Sequence, residues 1–397
     1  MPEPISGPCI LIICDYFLPG YKSGGALRSL VNLLERFSGK FDFRIITRDH
    51  DGKMSRVPYD TVEIDKWNMV DGHPVFYLSR DNIRFATIAR LIREVEPDVL
   101  FLNSFFSPLT TMSLLLRKLG RVPKVPIILA PEGELSLGAM SIKPTRKKLF
   151  IIVAKFLRIH HRVLWKVASE AEHGEVEKLA SKGDSILLAP TMLPKTILPD
   201  YKFDSKPKKA PGSVKLVFLS RYMRKKNMNW LLEKLSAHKA QLEIDIYGPL
   251  EEEDYWKEAE DIIATLPSNI VVRSAGSIPH ASVAETLTKY HFFVLPTLGE
   301  NFGIAIIEAL AAGCPVIISD RTPWQNLQEK GIGWDLPLES PKLWFDVLDK
   351  CSLMSSEEFK EYSDRSRQFA VNWLKDPSLD AANLNIFETA LGLKGNS

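Results

Sequence analysis

The stretch HFFVLPTLGENFGIAIIEALAAGCPVIISD, residues 291–320, decides how the chain is read. An apolar run, His291 to Pro296, reads as a buried strand, and Pro315 to Ser319 reads as a second one. Between them a polar loop leads into an apolar helix that Gly303 permits to start tightly. Two short buried strands joined through a helix form a βαβ unit, and such units build parallel sheets covered on both faces.

Working outward, the same alternation predicts strands at Lys215 to Ser220, Leu242 to Tyr247 and Asn269 to Arg273. In the first half it predicts strands at Cys9 to Cys14, Phe43 to Thr47, Val99 to Asn103 and Val125 to Ala130, with helices over Ala26 to Phe37, Ile83 to Glu94, Pro108 to Leu119 and Pro144 to Val163. The proline- and lysine-rich stretch Leu193 to Ser213 reads as a linker between the two series. The expected organisation is an α/β domain over 1–195, a second over 196–375 and a terminal helical segment over 376–397, with a break at Asp376-Pro377. Doubly wound sheets bind ligands at the carboxyl ends of their strands, so the expected active site is a cleft between the two domains.

Composition agrees with a globular enzyme. The chain has 397 residues, 45% apolar and 25% charged, and a net charge of +2, which argues against a general nucleic-acid binder. Its four cysteines, Cys9, Cys14, Cys314 and Cys351, form no CxxC pair and are expected as core residues in a reducing compartment. The apolar run after MPEPISGP lacks a basic flank and ends at Cys14, so it is read as the first strand and not as a signal peptide. No stretch is apolar for long enough to span a bilayer as a helix. The charge is unevenly placed: Leu135 through Ser169 holds no Asp or Glu but eight Lys and Arg.

Three loops carry chemistry. After the first strand come Pro19-Gly20-Tyr21-Lys22-Ser23-Gly24-Gly25 and a helix, where paired glycines admit a ligand close to the backbone and the helix start offers N–H groups to an anion; the spacing is not GxGxxG, and a plain turn is the other reading. After LVFLS come Arg221, Arg224, Lys225 and Lys226, which could hold a diphosphate and neutralise charge as it departs, or form a solvated basic loop. In the opening stretch, Glu300 sits in the loop and Glu308 on the helix. The N–H groups of Phe302, Gly303 and Ile304 are placed for a phosphate, and the two acids for sugar hydroxyls.

With these elements in this order the chain resembles the retaining glycosyltransferases of family 4, which have the GT-B fold of two Rossmann-like domains facing each other across a cleft. The resemblance rests on Glu300 and Glu308 as E-x7-E, on Arg221 with Lys226, on Gly24-Gly25 and on EALAAGCPVIISD from Glu308 to Asp320. It implies that Arg221 and Lys226 bind the donor diphosphate, with Gly24 and Gly25 also at the donor. Glu308 would bind the nucleoside ribose, and Glu300 with Asn301, Phe302, Gly303 and Ile304 the transferred sugar. It implies a hexosyl- or N-acetylhexosaminyltransferase using a nucleotide sugar without a metal, and a terminal helix that returns to the first domain. Stabilising the departing diphosphate would be the main catalytic term, so Lys226→Ala is expected to lower turnover about 10²- to 10³-fold with the fold intact.

One position departs from the family's pattern: Pro131-Glu132-Gly133-Glu134 stands where many relatives carry a histidine or arginine. Glu132 is expected to contact the acceptor or the sugar, or else to cap the next turn. Asp49-His50-Asp51 matches a metal-binding D-x-D only by spacing and is read as a turn. The basic segment 143–166, with Arg146, Lys147, Lys148, Lys155, Arg158 and Arg162 beside Phe150, Ile152, Phe156 and Trp165, reads as a peripheral contact with anionic lipid on the cytoplasmic side, or as a solvated face. Histidines 160, 161, 173, 280 and 291 show no ligand spacing and are expected in solvated or core roles. The setting expected by analogy is bacterial cell-surface polysaccharide assembly, lipopolysaccharide included, with a lipid-linked acceptor. A nucleotide-sugar epimerase on the same fold and a non-catalytic scaffold remain as alternatives.

Overall fold

In a computed structural model the chain divides into two compact units, Met1–Pro194 with Pro377–Ser397, and Lys195–Asp376. The structure describes residues 7–21, 24–52, 55–181, 183–193, 203, 206–236 and 238–394; Lys22, Ser23 and most of the predicted linker lie outside them.

The first unit is built on an eight-stranded sheet. Its strands are β1 (Cys9–Cys14), β2 (Asp42–Arg48), β3 (Trp67–Val70), β4 (His73–Leu78), β5 (Val99–Asn103), β6 (Ile127–Ala130), β7 (Leu164–Val167) and β8 (Ser185–Leu188). They lie in the order β3-β4-β2-β1-β5-β6-β7-β8, all pairs parallel except β3 with β4. Helices α1 (Gly25–Phe37), α2 (Phe85–Val95), α3 (Pro108–Lys118), α4 (Leu137–Ser141), α5 (Pro144–Phe156) and α6 (Glu170–Glu177) connect them. Side chains on a strand alternate between faces, and here both faces are buried: Leu11 and Ile13 enter one core, Ile10 and Ile12 the other. The second core is completed by Ile386, Phe387 and Ala390 of the C-terminal helix, Pro377–Lys394. Phe387 packs its ring against those of Phe37, Phe41, Phe43 and Phe101.

Three expectations for this unit are corrected. The hairpin β3–β4 was not anticipated, although its turn, Asp71-Gly72 with φ of 50° and 78°, is the Asp-Gly turn that two-residue hairpins prefer. The helix predicted to run to Val163 stops at Phe156, because Arg158 and Arg162 take left-handed φ of 45° and 56°. The residues after it then enter the sheet as β7, so Trp165 and Lys166 are buried and form no part of a surface segment.

The second unit has a six-stranded parallel sheet in the order β11-β10-β9-β12-β13-β14. Its strands are β9 (Ser213–Leu219), β10 (Gln241–Tyr247), β11 (Ile270–Gly276), β12 (Phe292–Leu295), β13 (Val316–Ser319) and the unanticipated β14 (Gly333–Leu336). Helices α7 (Met228–Leu235), α8 (Glu253–Ala264), α9 (Val283–Thr288), α10 (Ile304–Ala311) and α11 (Pro341–Leu353) link them, followed by α12 (Ser356–Lys375). Ser355 and Glu358 close a capping box at the start of α12, and the helix ends ahead of Pro377.

In each sheet the order of connection reverses once, between β1 and β5 and between β9 and β12. At such a switch point the flanking loops leave in opposite directions and open a crevice for a ligand. The loop after β10 is drawn against the one after β9: at Gly248, φ 134°, a Cβ would lie 1.9 Å from the Ser220 carbonyl oxygen, so only glycine fits.

Candidate functional site

The β9/β12 switch point brings together the residues singled out in the opening stretch and the basic loop. After β9 the chain runs through Arg221 to a 3-10 turn at Arg224–Lys226, and after β12 through Thr297 to Gly303. The loops are tied by their backbones: the Leu298 N–H and the Thr297 hydroxyl both donate to the Lys225 carbonyl, at 2.8 and 3.2 Å. Lys226 Nζ then donates to Glu300 Oε1 at 2.7 Å, with the two side chains only 12% and 10% exposed. Burial pushes the Glu300 carboxyl up, but Lys226, Lys225 and the Thr297 hydroxyl outweigh it and hold the group below the usual carboxylate range. The site therefore holds an ionised carboxylate hydrogen-bonded to a mostly buried lysine.

Gly303 starts α10 with φ 83°, and its missing Cβ keeps clear of Ile306 Cδ1, which would be 2.7 Å away. Among the described residues the N–H groups of Phe302, Gly303 and Ile304 donate to no acceptor. Such a helix start attracts an anion. Phe302 is fixed by Trp324, whose indole N–H donates to the Phe302 carbonyl at 2.5 Å. Asn301 is half-buried in the same turn.

Glu308 lies on α10, nine-tenths buried, and its Oε1 is 3.0 Å from Nε2 of His280. His280 starts a 3-10 turn after β11. The expectation that this histidine is solvated or merely packed is corrected: sequence spacing could not join two residues that meet only because β11 and β12 belong to one sheet. His160 does match the core reading, buried and stacked on Phe105 at 4.7 Å.

Two other basic residues of the loop, Arg221 and Arg224, are engaged elsewhere. Arg221 makes a two-pronged contact with Glu251 at 3.2 and 2.8 Å, and Arg224 pairs with Glu258 and Glu252. Lys226 is thus the cation held beside Glu300, while Arg221 stays one-third exposed and oriented by Glu251.

In the first unit, the β1/β5 switch point carries the glycine loop. Asp51 accepts from the Tyr21 N–H at 2.9 Å, so the second aspartate of Asp49-His50-Asp51 shapes that loop. Gly20 fits only without a Cβ, which would meet the Tyr59 hydroxyl at 2.3 Å. Gly24, at φ 65°, is the N-cap of α1, and Gly25 is its first residue.

Glu132 follows β6 with φ 52°, next to Ser104 after β5 with φ 101°. Backbone strain of this kind concentrates at functional positions. Three glutamates meet here. Glu134 accepts from the Ser104 hydroxyl and the Phe105 and Phe106 N–H groups, and Glu172 from the N–H groups of Gly133 and Ala168. Those two cap backbone. Glu132 instead has Asn103 Nδ2 at 3.4 Å and Lys166 Nζ at 4.0 Å, and is 10% exposed. Burial raises its carboxyl above the ordinary value of 4.5; Lys166 opposes the rise, and Glu172 adds to it. The folded chain thus keeps this proton to a higher pH than the unfolded chain does, so stability falls as pH rises from about that value. Glu132→Gln, which mimics the protonated form, is expected to remove this fall: urea midpoints from pH 4 to 8 should match the parent at the acid end and exceed it at the alkaline end. A parallel pH dependence in both proteins would show that Glu132 is ionised throughout.

Helix α5 is apolar on the wrong side. Ala154 is buried and Phe150 and Ile151 pack on the core, yet Leu149, Ile152, Val153 and Phe156 face solvent at 60, 64, 46 and 85% exposure. Among the described residues Lys143, Arg146, Lys148, Lys155, Arg158 and Arg162 pair with no carboxylate. Lys147 turns inward, donating to the Ala139 carbonyl at 2.7 Å. Among the described residues no helix is long and apolar enough to cross a membrane, and no cluster of metal-binding side chains occurs.

Residues 213–342 match the family model described as "Glycosyl transferases group 1". Part of the chain is similar to the UDP-N-acetylglucosamine–peptide N-acetylglucosaminyltransferase GtfA subunit of Streptococcus pneumoniae, 30% identical over 130 residues, which are 32% of this chain and 24% of that protein. The chain spans about a quarter to a third of the length of the curated relatives it matches. Over nearly its whole length it is similar in structure to Anabaena Alr3699/HepE in complex with UDP and glucose, with a TM-score of 0.69, 16% identity, and 96% and 99% of the two chains covered. It is also similar to WaaG, a glycosyltransferase involved in lipopolysaccharide biosynthesis, with a TM-score of 0.61, 14% identity, and 94% and 99% covered. These likenesses show the fold, the two parallel α/β units of the GT-B glycosyltransferases.

Proposed function

We propose that the chain is a retaining glycosyltransferase that moves a hexosyl or N-acetylhexosaminyl group from a nucleoside-diphosphate sugar to a lipid-linked saccharide acceptor. The observation that carries this reading is the largely buried Lys226–Glu300 pair beside the three amides of Phe302 to Ile304 that donate to no acceptor among the described residues. The ammonium and Arg221 supply positive charge for the departing diphosphate, the amides supply fixed donors, and the ionised Glu300 accepts from hydroxyls of the transferred sugar. Glu308 accepts from the ribose, Gly24 and Gly25 approach the donor, and Glu132 contacts the sugar or the acceptor. No metal is required, because these groups perform the charge neutralisation.

The α5 surface supports the acceptor assignment. Leu149, Ile152, Val153 and Phe156 enter the interface of an anionic bilayer with Arg146, Lys148, Lys155 and Arg158 at the headgroups, which brings the enzyme to a carrier lipid on the cytoplasmic face of the plasma membrane. Bacterial cell-surface polysaccharide assembly, lipopolysaccharide included, is the setting that the likeness to WaaG favours.

Thermal unfolding with UDP, GDP, ADP and NAD, with and without magnesium, tests the donor site, since a ligand at about 100 times its Kd adds roughly 2.7 kcal/mol. One nucleoside diphosphate should raise Tm equally with and without magnesium; UDP is the first choice, given the ligand of HepE. No shift with any diphosphate, or a shift with NAD alone, contradicts the proposal.

A further inference from the structure

Glu308 presents an electrostatic question that the rest of the site does not answer. A carboxylate that is nine-tenths buried loses most of its hydration, which is costly unless its oxygens find partners. Among the described residues its one hydrogen-bond partner is His280, on Oε1. The other oxygen, Oε2, has none there.

The partner comes from a different loop. His280 follows β11, which two intervening strands separate from β12 in the sheet, and Pro279 leads directly into its 3-10 turn. It is one-third exposed, so packing alone does not explain its position, and its ring nitrogen spans from the β11 loop to α10. A glutamate has three rotatable side-chain torsions. Tying one oxygen to a short, stiff imidazole removes most of that freedom before any ligand arrives.

We propose that His280 is the positioning residue for the donor ribose: by occupying Oε1 of Glu308 it reserves Oε2 as acceptor for a ribose hydroxyl, so that the site reads the ribose of the nucleotide. The inference rests on the donor assignment made above and adds to it a residue and a selectivity. A site built to accept from a hydroxyl leaves a buried polar group unpaired when the hydroxyl is missing, and therefore discriminates strongly against the deoxy analogue. Without His280 the carboxylate regains its alternatives, and the hydroxyl contributes less.

The test is calorimetric titration of the full chain with UDP, GDP and ADP, each beside its 2′-deoxy and 3′-deoxy forms, in the parent, His280→Ala and His280→Gln. The parent should favour the ribonucleotide over one of the deoxy forms by on the order of tenfold or more, as expected for a hydrogen bond to a charged group. In His280→Ala that preference should collapse, mainly through weaker binding of the ribonucleotide. In His280→Gln, whose side-chain amide can donate to the same oxygen, it should return in large part. A preference kept in His280→Ala, with or without a lower Tm, overturns the positioning role and leaves the donor site standing. A parent chain that binds none of the three diphosphates overturns the donor assignment and, with it, this inference.

Discussion

Lys226→Ala is expected to lower the rate of donor-sugar turnover by about 10²- to 10³-fold, the usual loss when one contact to developing charge is removed. Turnover is read as release of nucleoside diphosphate from the nucleotide sugar. The fold is expected to stay intact but to lose stability, because the side chains of Lys226 and Glu300 are only 12% and 10% exposed. Removing one partner of such a pair leaves the other charge uncompensated, at a cost on the order of 3 kcal/mol. Urea unfolding of Lys226→Ala should therefore show a clear loss of stability together with the loss of turnover. The double variant Lys226→Met with Glu300→Gln separates the two effects: neutral partners should recover much of the stability and none of the turnover. Turnover near the parent value in Lys226→Ala would remove the catalytic assignment of this loop.

The second large effect concerns α5. Burying a large apolar side chain is worth about 1.5–3 kcal/mol, so Ile152→Ser with Phe156→Ser should weaken binding to phosphatidylglycerol-containing vesicles by roughly 100-fold or more. The two side chains are the most exposed of the four apolar residues on that face. Their loss should leave Tm unchanged or raised, since neither contributes to the core. Neutralising Arg146, Lys148 and Arg158 together should act differently, weakening binding by about 1 kcal/mol per charge, only on anionic vesicles and less at high salt. Lys147 is left out of that set because its ammonium faces the protein. Vesicle binding unaffected by the Ile152 and Phe156 changes would return α5 to an ordinary solvent-facing helix.

How far the sequence could be read follows from the range of the physics involved. Buried parallel strands leave continuous apolar runs, so β1, β5 and the βαβ unit around Glu300 lie close to where the sequence puts them, as does β10 with its alternating run QLEIDIY. The strands Leu164–Val167 and Gly333–Leu336 are each interrupted by a charge, Lys166 and Asp335, so neither leaves the unbroken apolar run that marks four-residue strands such as Phe292–Leu295 and Val316–Ser319. The turn of the hairpin after Trp67 is legible in Asp71-Gly72, but its first strand, Trp67–Val70, is only half-buried and leaves no apolar run. Within the site, Lys226 and Glu300 could be named from their loops, because each loop follows a strand and precedes a helix. That Arg221 is held by Glu251, and that Glu308 is held by His280, depends on which strands are neighbours in the sheet. Strand order is not written in any local segment. The raised proton affinity of Glu132 was likewise out of reach, since it comes from burial in the folded unit, opposed by Lys166 and reinforced by Glu172, which come more than thirty residues later.

The C-terminal helix that completes the first core has a consequence for how the polypeptide is made. Phe387 closes a nest of rings formed by Phe37, Phe41, Phe43 and Phe101, all of which are translated hundreds of residues before it. On a ribosome adding about 5–20 residues per second, the first core waits tens of seconds or less for its last piece, while the second unit, Lys195–Asp376, has emerged whole. The usual order of amino-terminal folding first is thereby reversed: the later unit can finish before the earlier one, and the unfinished sheet is the surface that a nascent-chain chaperone meets.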